Sequence, residues 1–180
     1  TPAADQTAEC DGSGNASALA AWLSNNGGAS ASDVCSGVNW TNNYTGLSDG
    51  CGNTGSATVI FTATDSCGNS TSTIATFTIE DTTSPTIDTP AADQTVECDG
   101  SGNASALAAW LSNNGGASAS DICSGVNWTN NYTGLSDGCG NTGTATVIFT
   151  ATDSCGNSTS TTATFTIEDT TSPTIDTPAA

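Results

Sequence analysis

Apolar and polar residues alternate with a period of two along several short stretches of this chain. In Thr144–Asp153 (TATVIFTATD), Val147, Phe149 and Ala151 fall on one side and Thr146, Ile148 and Thr150 on the other, the pattern of a half-buried strand. Ser70–Glu80 (STSTIATFTIE) repeats it, with Ala75, Phe77 and Ile79 inward and Ile74, Thr76, Thr78 and Glu80 outward. Val38–Thr45 (VNWTNNYT) predicts a third strand with Val38 and Trp40 inward, and Asp5–Cys10 (DQTAEC) a weaker fourth. One stretch changes period. In NASALAAWLSNNGG, beginning at Asn15, the residues Leu19, Trp22 and Leu23 recur at helical spacing, with Asn15 or Ser17 placed to cap the start and Gly27 to end it; this predicts a short helix lying over the core. Strands divided by turns, with one helical excursion, predict an all-β fold of antiparallel sandwiches, each with one short helix.

The pattern is written twice. Residues 1–88 return as 89–176 with four changes, Ala8 to Val96, Val34 to Ile122, Ser56 to Thr144 and Ile74 to Thr162, and TPAA at 177–180 begins the text again. A copy of this length exceeds the roughly 20–50 residues of stacking solenoid repeats, so each is a domain with its own core. The expected domains are 1–84, with an incomplete first strand, 85–172, and 173–180 as the start of a third. The boundary, DTTSPTID at Asp81–Asp88, is short and Pro-bearing rather than a Gly/Ser linker, so adjacent domains should nearly touch. Domains of this size bury only about 60–65% of their unfolded surface and commonly need staples. Eight Cys with no His favour structural disulfides in an oxidising compartment over zinc.

Charge narrows the function. The chain has no Lys, Arg or His and 18 acids, for a formal net charge of −18. Nucleic acid is excluded as a partner, because phosphate binding needs Lys or Arg, and an anionic membrane surface likewise. No apolar run approaches the ~20 residues of a spanning helix, so this segment does not insert into a membrane. An enzyme is not expected: the usual bases and oxyanion partners are missing, and identical sites repeated in every domain would be an odd arrangement for catalysis.

The most insistent motif is a pentad: DGSGN at Asp11, DGCGN at Asp49 and DSCGN at Asp65, returning at Asp99, Asp137 and Asp153. Turn chemistry explains it, since Asp and Asn bond nearby backbone and Gly supplies positive φ; oxygen ligands on a tight turn also suit Ca2+. DGSGNAS mimics the opening of an EF-hand loop, but its twelfth position is Trp22 instead of a bidentate Glu. Four N-x-[ST] sequons per copy, at Asn15, Asn39, Asn43 and Asn69, and the abundant Thr make the chain a candidate glycoprotein.

The run VIFTATDSCGNSTSTIATFTIEDTTSPTI resembles the end of a hyaline-repeat (HYR-like) or related immunoglobulin-like domain, whose hallmark is V-x-F-x-A-x-D-x-x-G-N, a T-x-F-x-V strand, then D-x-x-x-P. The first half of each copy matches only through ASDVCSGV at Ala31–Val38. The resemblance implies tandem immunoglobulin-like sandwiches of secreted bacterial adhesins, stalks and surface fibres, hence an extracellular or cell-surface location. The arrangement is also similar to cadherin-like tandems, in which acids from the end of one domain and the tip loops of the next share calcium, although DTTSP stands where D-x-N-D-x-P would be.

In such a sandwich the loop after the second strand and the hairpin before the last strand face the preceding domain. Asp121 and Asp153 are therefore expected near Glu80, Asp81 and Asp88, five carboxylates that bound Ca2+ would reconcile. Four cysteines per copy allow three connectivities. Because Cys35 precedes a strand and Cys67 lies in a hairpin at the same expected end, the preferred set is Cys10–Cys51, Cys35–Cys67, Cys98–Cys139 and Cys123–Cys155. The function expected is a structural repeat of an extracellular fibre or adhesin stalk, its partners further copies of the repeat in the same chain or in neighbouring chains. The alternative is a surface that binds sugar or ice through Thr faces, Trp and Tyr.

Overall fold

The computed structural model describes residues 1–176; residues 177–180 of the expected third copy lie outside them. The chain divides into two compact units. Unit 1 comprises residues 1–84 together with the loops 121–125 and 153–157, and unit 2 comprises 85–120, 126–152 and the chain from 158 onward. Those two loops belong to the second sequence copy and nevertheless fold as part of unit 1.

In unit 1 the strands β1 (Gln6–Glu9), β2 (Val38–Asn42), β3 (Gly55–Asp65) and β4 (Ser70–Glu80) form one sheet in the order β1-β4-β3-β2. The central hairpin is antiparallel, with Ala57 opposite Phe77 and Val59 opposite Ala75. Its inner face, Ala57, Val59, Phe61, Ala63, Ala75, Phe77 and Ile79, is buried. Helix α1 (Ala16–Ser24) lies over this face with Leu19 and Trp22 buried. Trp22 meets Phe61 edge-on at 5.1 Å, and its indole Nε1 donates to the Ala4 carbonyl at 3.1 Å. A nine-residue helix is too short to persist alone, so this packing sustains it. Each fully buried Phe contributes about 2–3 kcal/mol by area.

The outer face is polar, as the alternation predicts. Thr58 pairs with Thr76 and Thr62 with Ser72 through hydroxyl bonds of 3.0 Å, and Ile74 stands 61% exposed between them, so Thr at the equivalent position 162 costs little.

Unit 2 repeats the plan. Its strands β6 (Gln94–Glu97), β8 (Asn127–Asn130), β9 (Gly143–Thr152) and β10 (Ser158–Glu168) run in the order β6-β10-β9-β8, and α2 (Ala104–Ser112) covers Val147, Phe149 and Phe165. A second layer is visible as a two-stranded sheet of β5 (Thr86–Thr89) and β7 (Ser118–Ser120). In unit 1 Thr1 and Ser30 exchange the corresponding backbone bonds at 2.8 and 3.0 Å. The fold is all-β, a tandem of β-sandwiches with one short α-helix in each.

Two details depart from expectation. The first strand of each sheet pairs in parallel with the last, Ala8 beside Ile79 and Val96 beside Ile167, so the sandwich is not purely antiparallel. A parallel neighbour needs a crossover, and the intervening helix and hairpin provide it. Asn15 occupies the helix N-cap position but makes no capping bond and adopts left-handed geometry, φ 51°. Its side chain instead accepts from the Asp11 amide at 3.1 Å and donates to the Glu9 carbonyl at 2.7 Å, closing the pentad loop that precedes the helix.

Candidate functional site

The pentads are first of all turns. Asp11 Oδ1 accepts from the amides of Ser13 and Asn15 at 2.8 and 3.0 Å, and these bonds, the Asn15 amide foremost, hold its carboxyl below the usual aspartate range. Asp65 and Asp153 make the same loop from DSCGN, each accepting from amides two and four residues on and from its own Asn side chain. With its oxygen spent on amides, DGSGN is a loop staple feeding the helix.

The cysteines sit at the two ends of the sheet. Cys10 follows β1, whose Glu9 stands beside Glu80, and Cys51 precedes β3, whose Gly55 pairs with Ile79; both lie at one end. Cys35 precedes β2, whose Val38 pairs with Asp65, and Cys67 follows that Asp; both lie at the other end, roughly 33 Å along an eleven-residue strand. The grouping by ends expected from the sequence holds, but the pairing within ends does not. Disulfides join Cys10 to Cys123 and Cys51 to Cys155, across sequence separations of 113 and 104. Cys35, Cys67, Cys98 and Cys139 are free. The expected pairs Cys10–Cys51, Cys35–Cys67, Cys98–Cys139 and Cys123–Cys155 are therefore all corrected. The physical reason is that Cys10 and Cys51, side by side at one end of the sheet in unit 1, are met by the loops 121–125 and 153–157, which carry Cys123 and Cys155.

That approach is close. Gly12, at φ +75°, would place a Cβ 2.5 Å from the Ile122 carbonyl oxygen, and Gly52, at φ +57°, one 2.6 Å from that of Cys123. Only glycine satisfies both the backbone angle and the contact. The Asn53 amide donates to the Cys123 carbonyl at 3.0 Å, and Asn157 Nδ2 to the Asp81 carbonyl at 2.9 Å.

Two carboxylates, those of Asp81 and Asp121, converge beside the Cys10–Cys123 disulfide, with Asp153 near enough for its charge to act on Asp81. Asp81, 8% exposed, accepts from the Thr83 amide at 3.2 Å through Oδ1, while its Oδ2 is buried with no hydrogen-bond partner. Burial, joined by the charges of Asp121, Asp153 and Glu9, raises its carboxyl above the usual aspartate range. An oxygen of Asp81 and one of Asp121 lie with the Cys123 sulfur in a cluster no wider than 4.8 Å. That sulfur is half of a disulfide and supplies no thiolate. Asp121 accepts from the Cys123 and Ser124 amides at 2.8 and 2.9 Å. Asp153 is 5% exposed; burial works against its charge, yet the bonds from Asn157, Cys155 and Gly156 hold its carboxyl below the usual range.

Of the other two acids expected here, Glu80 is exposed, and its backbone carbonyl accepts from the Cys10 amide at 2.8 Å. Asp88 belongs to unit 2, where it accepts from Ser120 Oγ at 2.9 Å. The sequence pattern missed Glu9, whose carboxylate accepts from the Thr82 amide at 2.8 Å and from the Thr82 and Thr83 hydroxyls at 3.0 and 2.9 Å. It ties down the turn carrying Asp81. The weak strand pattern of Asp5–Cys10 did not set it apart. A buried carboxylate oxygen without a donor, among acids with no cationic side chain anywhere in the chain, fits a hard cation such as Ca2+. Asp81 and Asp121 are the residues whose oxygens lie close enough together to hold it; Asp153 stands outside that cluster, its oxygens engaged by the Cys155 and Asn157 amides and by Asn157 Nδ2.

Trp22 and Trp110, candidates for sugar stacking, are buried and their indole nitrogens are bonded to backbone. Of the sequons, Asn15 is buried, whereas Asn39 is exposed. No helix among the described residues is long and apolar enough to cross a membrane.

Neither a protein-family model nor a curated protein matches the sequence. Among solved structures, Drosophila N-cadherin EC1-4 is similar at 16% identity and TM-score 0.33, over 75% of this chain and 42% of that one. The protocadherin gammaB7 EC3-6 cis-dimer structure is similar at 17% identity and TM-score 0.32, over 63% and 32%. A chimeric titin Z1Z2-Z1Z2 tandem is similar at 16% identity and TM-score 0.27, over 64% and 65%. The chain thus spans less than half the length of either cadherin structure.

Proposed function

We propose that the chain is a structural repeat of an extracellular fibre or adhesin stalk, made rigid by paired disulfides and by Ca2+ held on Asp81 and Asp121. The observation that carries this function is the pair of disulfides inside unit 1, which fasten residues of the first sequence copy to residues of the second. Near-identical copies, linked covalently and free of Lys and Arg, suit a role in which length and resistance to proteases matter. The disulfides also suit an oxidising location outside the cell. Calcium complements the burial of Asp81, whose partnerless oxygen is otherwise a cost. Surface recognition of ice or sugar is less well supported, because the outer Thr hydroxyls bond one another and Ile60 and Ile74 interrupt them.

The test is thermal unfolding of the oxidised chain in chelator, in Ca2+, in Mg2+ and in monovalent salt of equal ionic strength. Ca2+ at a hundred times its Kd should add about 2.7 kcal/mol, with Mg2+ far less effective because it retains its water, and D81N should abolish the difference. Equal stabilisation by all three salts would mean that only charge screening is at work and would remove the metal from the proposal.

A further inference from the structure

The four free cysteines are the two halves of a coupling that the molecule already contains once. Cys98 and Cys139 occupy, in the second copy, the positions of Cys10 and Cys51; Cys35 and Cys67 occupy, in the first copy, those of Cys123 and Cys155. In unit 1 the surface around Cys10 and Cys51 is covered: Gly12 and Gly52 are crowded by the Ile122 and Cys123 carbonyls, and Asp81 is buried. The equivalent surface of the second copy is open. Gly100 and Gly140 keep positive φ, +77° and +63°, with nothing within 4 Å of a Cβ, and Asp169, the counterpart of Asp81, is exposed. Its two loops are nevertheless held together as in the first copy, Asn141 Nδ2 donating to the Gly100 carbonyl at 2.9 Å as Asn53 Nδ2 does to Gly12 at 3.3 Å.

The complementary loops are preformed as well. Asp33 Oδ1 accepts from the Cys35 and Ser36 amides at 2.8 and 2.9 Å, matching Asp121 with Cys123 and Ser124. The Ser66 amide donates to Ser36 Oγ at 3.4 Å, as Ser154 does to Ser124 at 3.2 Å. Cys35 and Cys67, exposed, sit on these loops just as Cys123 and Cys155 do. Gly100 and Gly140 thus hold the same left-handed turns as Gly12 and Gly52 with nothing yet crowding them, leaving room for an arriving carbonyl.

We propose that Cys98 and Cys139 of one chain form disulfides with Cys35 and Cys67, respectively, of a second copy of this chain, joining copies head to tail by the same pair of disulfides as in unit 1. Each bond is made from two thiols, whose two protons and two electrons pass to a disulfide oxidant such as oxidised glutathione, released as two thiols. The inference rests on the disulfide half of the fibre function and is independent of the metal. A chain with additional copies would present the same loops in cis, so the experiment must distinguish intermolecular from intramolecular bonds.

Two capped variants provide the test. C35S/C67S keeps only the Cys98 and Cys139 thiols free, and C98S/C139S only those of Cys35 and Cys67. In a glutathione redox buffer each alone should remain a monomer, whereas an equimolar mixture should give a heterodimer that reduction dissolves. Digestion at acidic residues should recover Cys98 linked to Cys35 and Cys139 to Cys67, with Cys10–Cys123 and Cys51–Cys155 intact in both partners as the mark of correct folding. The wild-type chain, mixed from 14N and 15N preparations, should form a ladder whose Cys98–Cys35 peptides carry mixed labels in half of the molecules. Homodimers of either capped variant, no dimer in the mixture, linkages in statistical proportions, or peptides of a single label only would each overturn the proposal.

Discussion

The loops Asp65–Asn69 and Asp153–Asn157 have the same five residues, DSCGN, and the same internal hydrogen bonds to within 0.1 Å. Their surroundings differ. Cys67 is a free, exposed thiol, whereas Cys155 is bonded to Cys51 and Asp153 is buried. The companion loops diverge further: Cys35 is exposed, and Cys123, two residues from an equivalent Asp, is 2% exposed. Short-range sequence therefore shapes the loop before anything meets it, and burial is added from outside. The loop is a preorganised plug, which lowers the ordering cost of coupling.

The sharpest way to break the comparison is to remove the bonds. C10S/C51S should cost about 2–5 kcal/mol per disulfide in denaturant unfolding of unit 1. It should also raise hydrogen exchange at residues 121–125 and 153–157 toward that of 33–37 and 65–69. Continued protection in the variant would mean that the contact holds without the covalent link. A smaller but still large difference is expected between glycine twins. G12A and G52A should lose about 2–4 kcal/mol, combining left-handed strain with the carbonyl clash, against about 1 kcal/mol for G100A and G140A, where strain acts alone. Equal costs in both pairs would show that the crowding relaxes freely.

The acids give a third contrast, with a definite sign. Asp81 has its carboxyl raised in the folded chain, chiefly by burial, so its favourable contribution is fully present below the ordinary aspartate range and is lost as pH rises from there through its raised folded value. D81N should therefore stabilise the chelated chain at neutral pH, while D169N, at an exposed carboxyl, should change little. The depressed acids Asp11, Asp65, Asp99 and Asp153 act oppositely: their contribution is present above the ordinary aspartate range and is lost as pH falls through their lowered values. Unfolding measured against pH in chelator should accordingly show D81N removing the fall in stability that begins as pH rises out of the ordinary aspartate range, with the loss on acidification left in place. Smallest of all, I74T and T162I exchange residues on the outer face and should each shift stability by no more than about 0.5 kcal/mol.

Legibility in the sequence tracks the range of the interaction. Ser70–Glu80 is a strand over the residues its alternation marks, and Trp22 and Leu19 cover the core where their spacing places them. The parallel placement of β1 was hidden, because four residues with one partly buried Ala carry too little pattern to choose a neighbour or a direction. The cysteine positions revealed which thiols share an end of the sheet. They could not reveal that the end carrying Cys10 and Cys51 finds its partners in the second copy, since near-identical repeats make partners 25 and 113 residues away equally consistent with the text. Asp81 and Asp169 pose the same ambiguity: one is buried and one exposed on identical local sequence.

The two disulfides overlap in sequence, Cys10–Cys123 enclosing Cys51 and Cys51–Cys155 enclosing Cys123. Tension applied at the chain ends therefore runs along the two shortest covalent routes, one crossing from residue 10 to 123 and the other from 51 to 155. Residues 52–122, which include β3 and β4, lie on neither. A pull that straightens the backbone elsewhere leaves these strands unloaded until sulfur bonds are cut, so the extensible length of the chain is set by its redox state more than by the strength of its sheets.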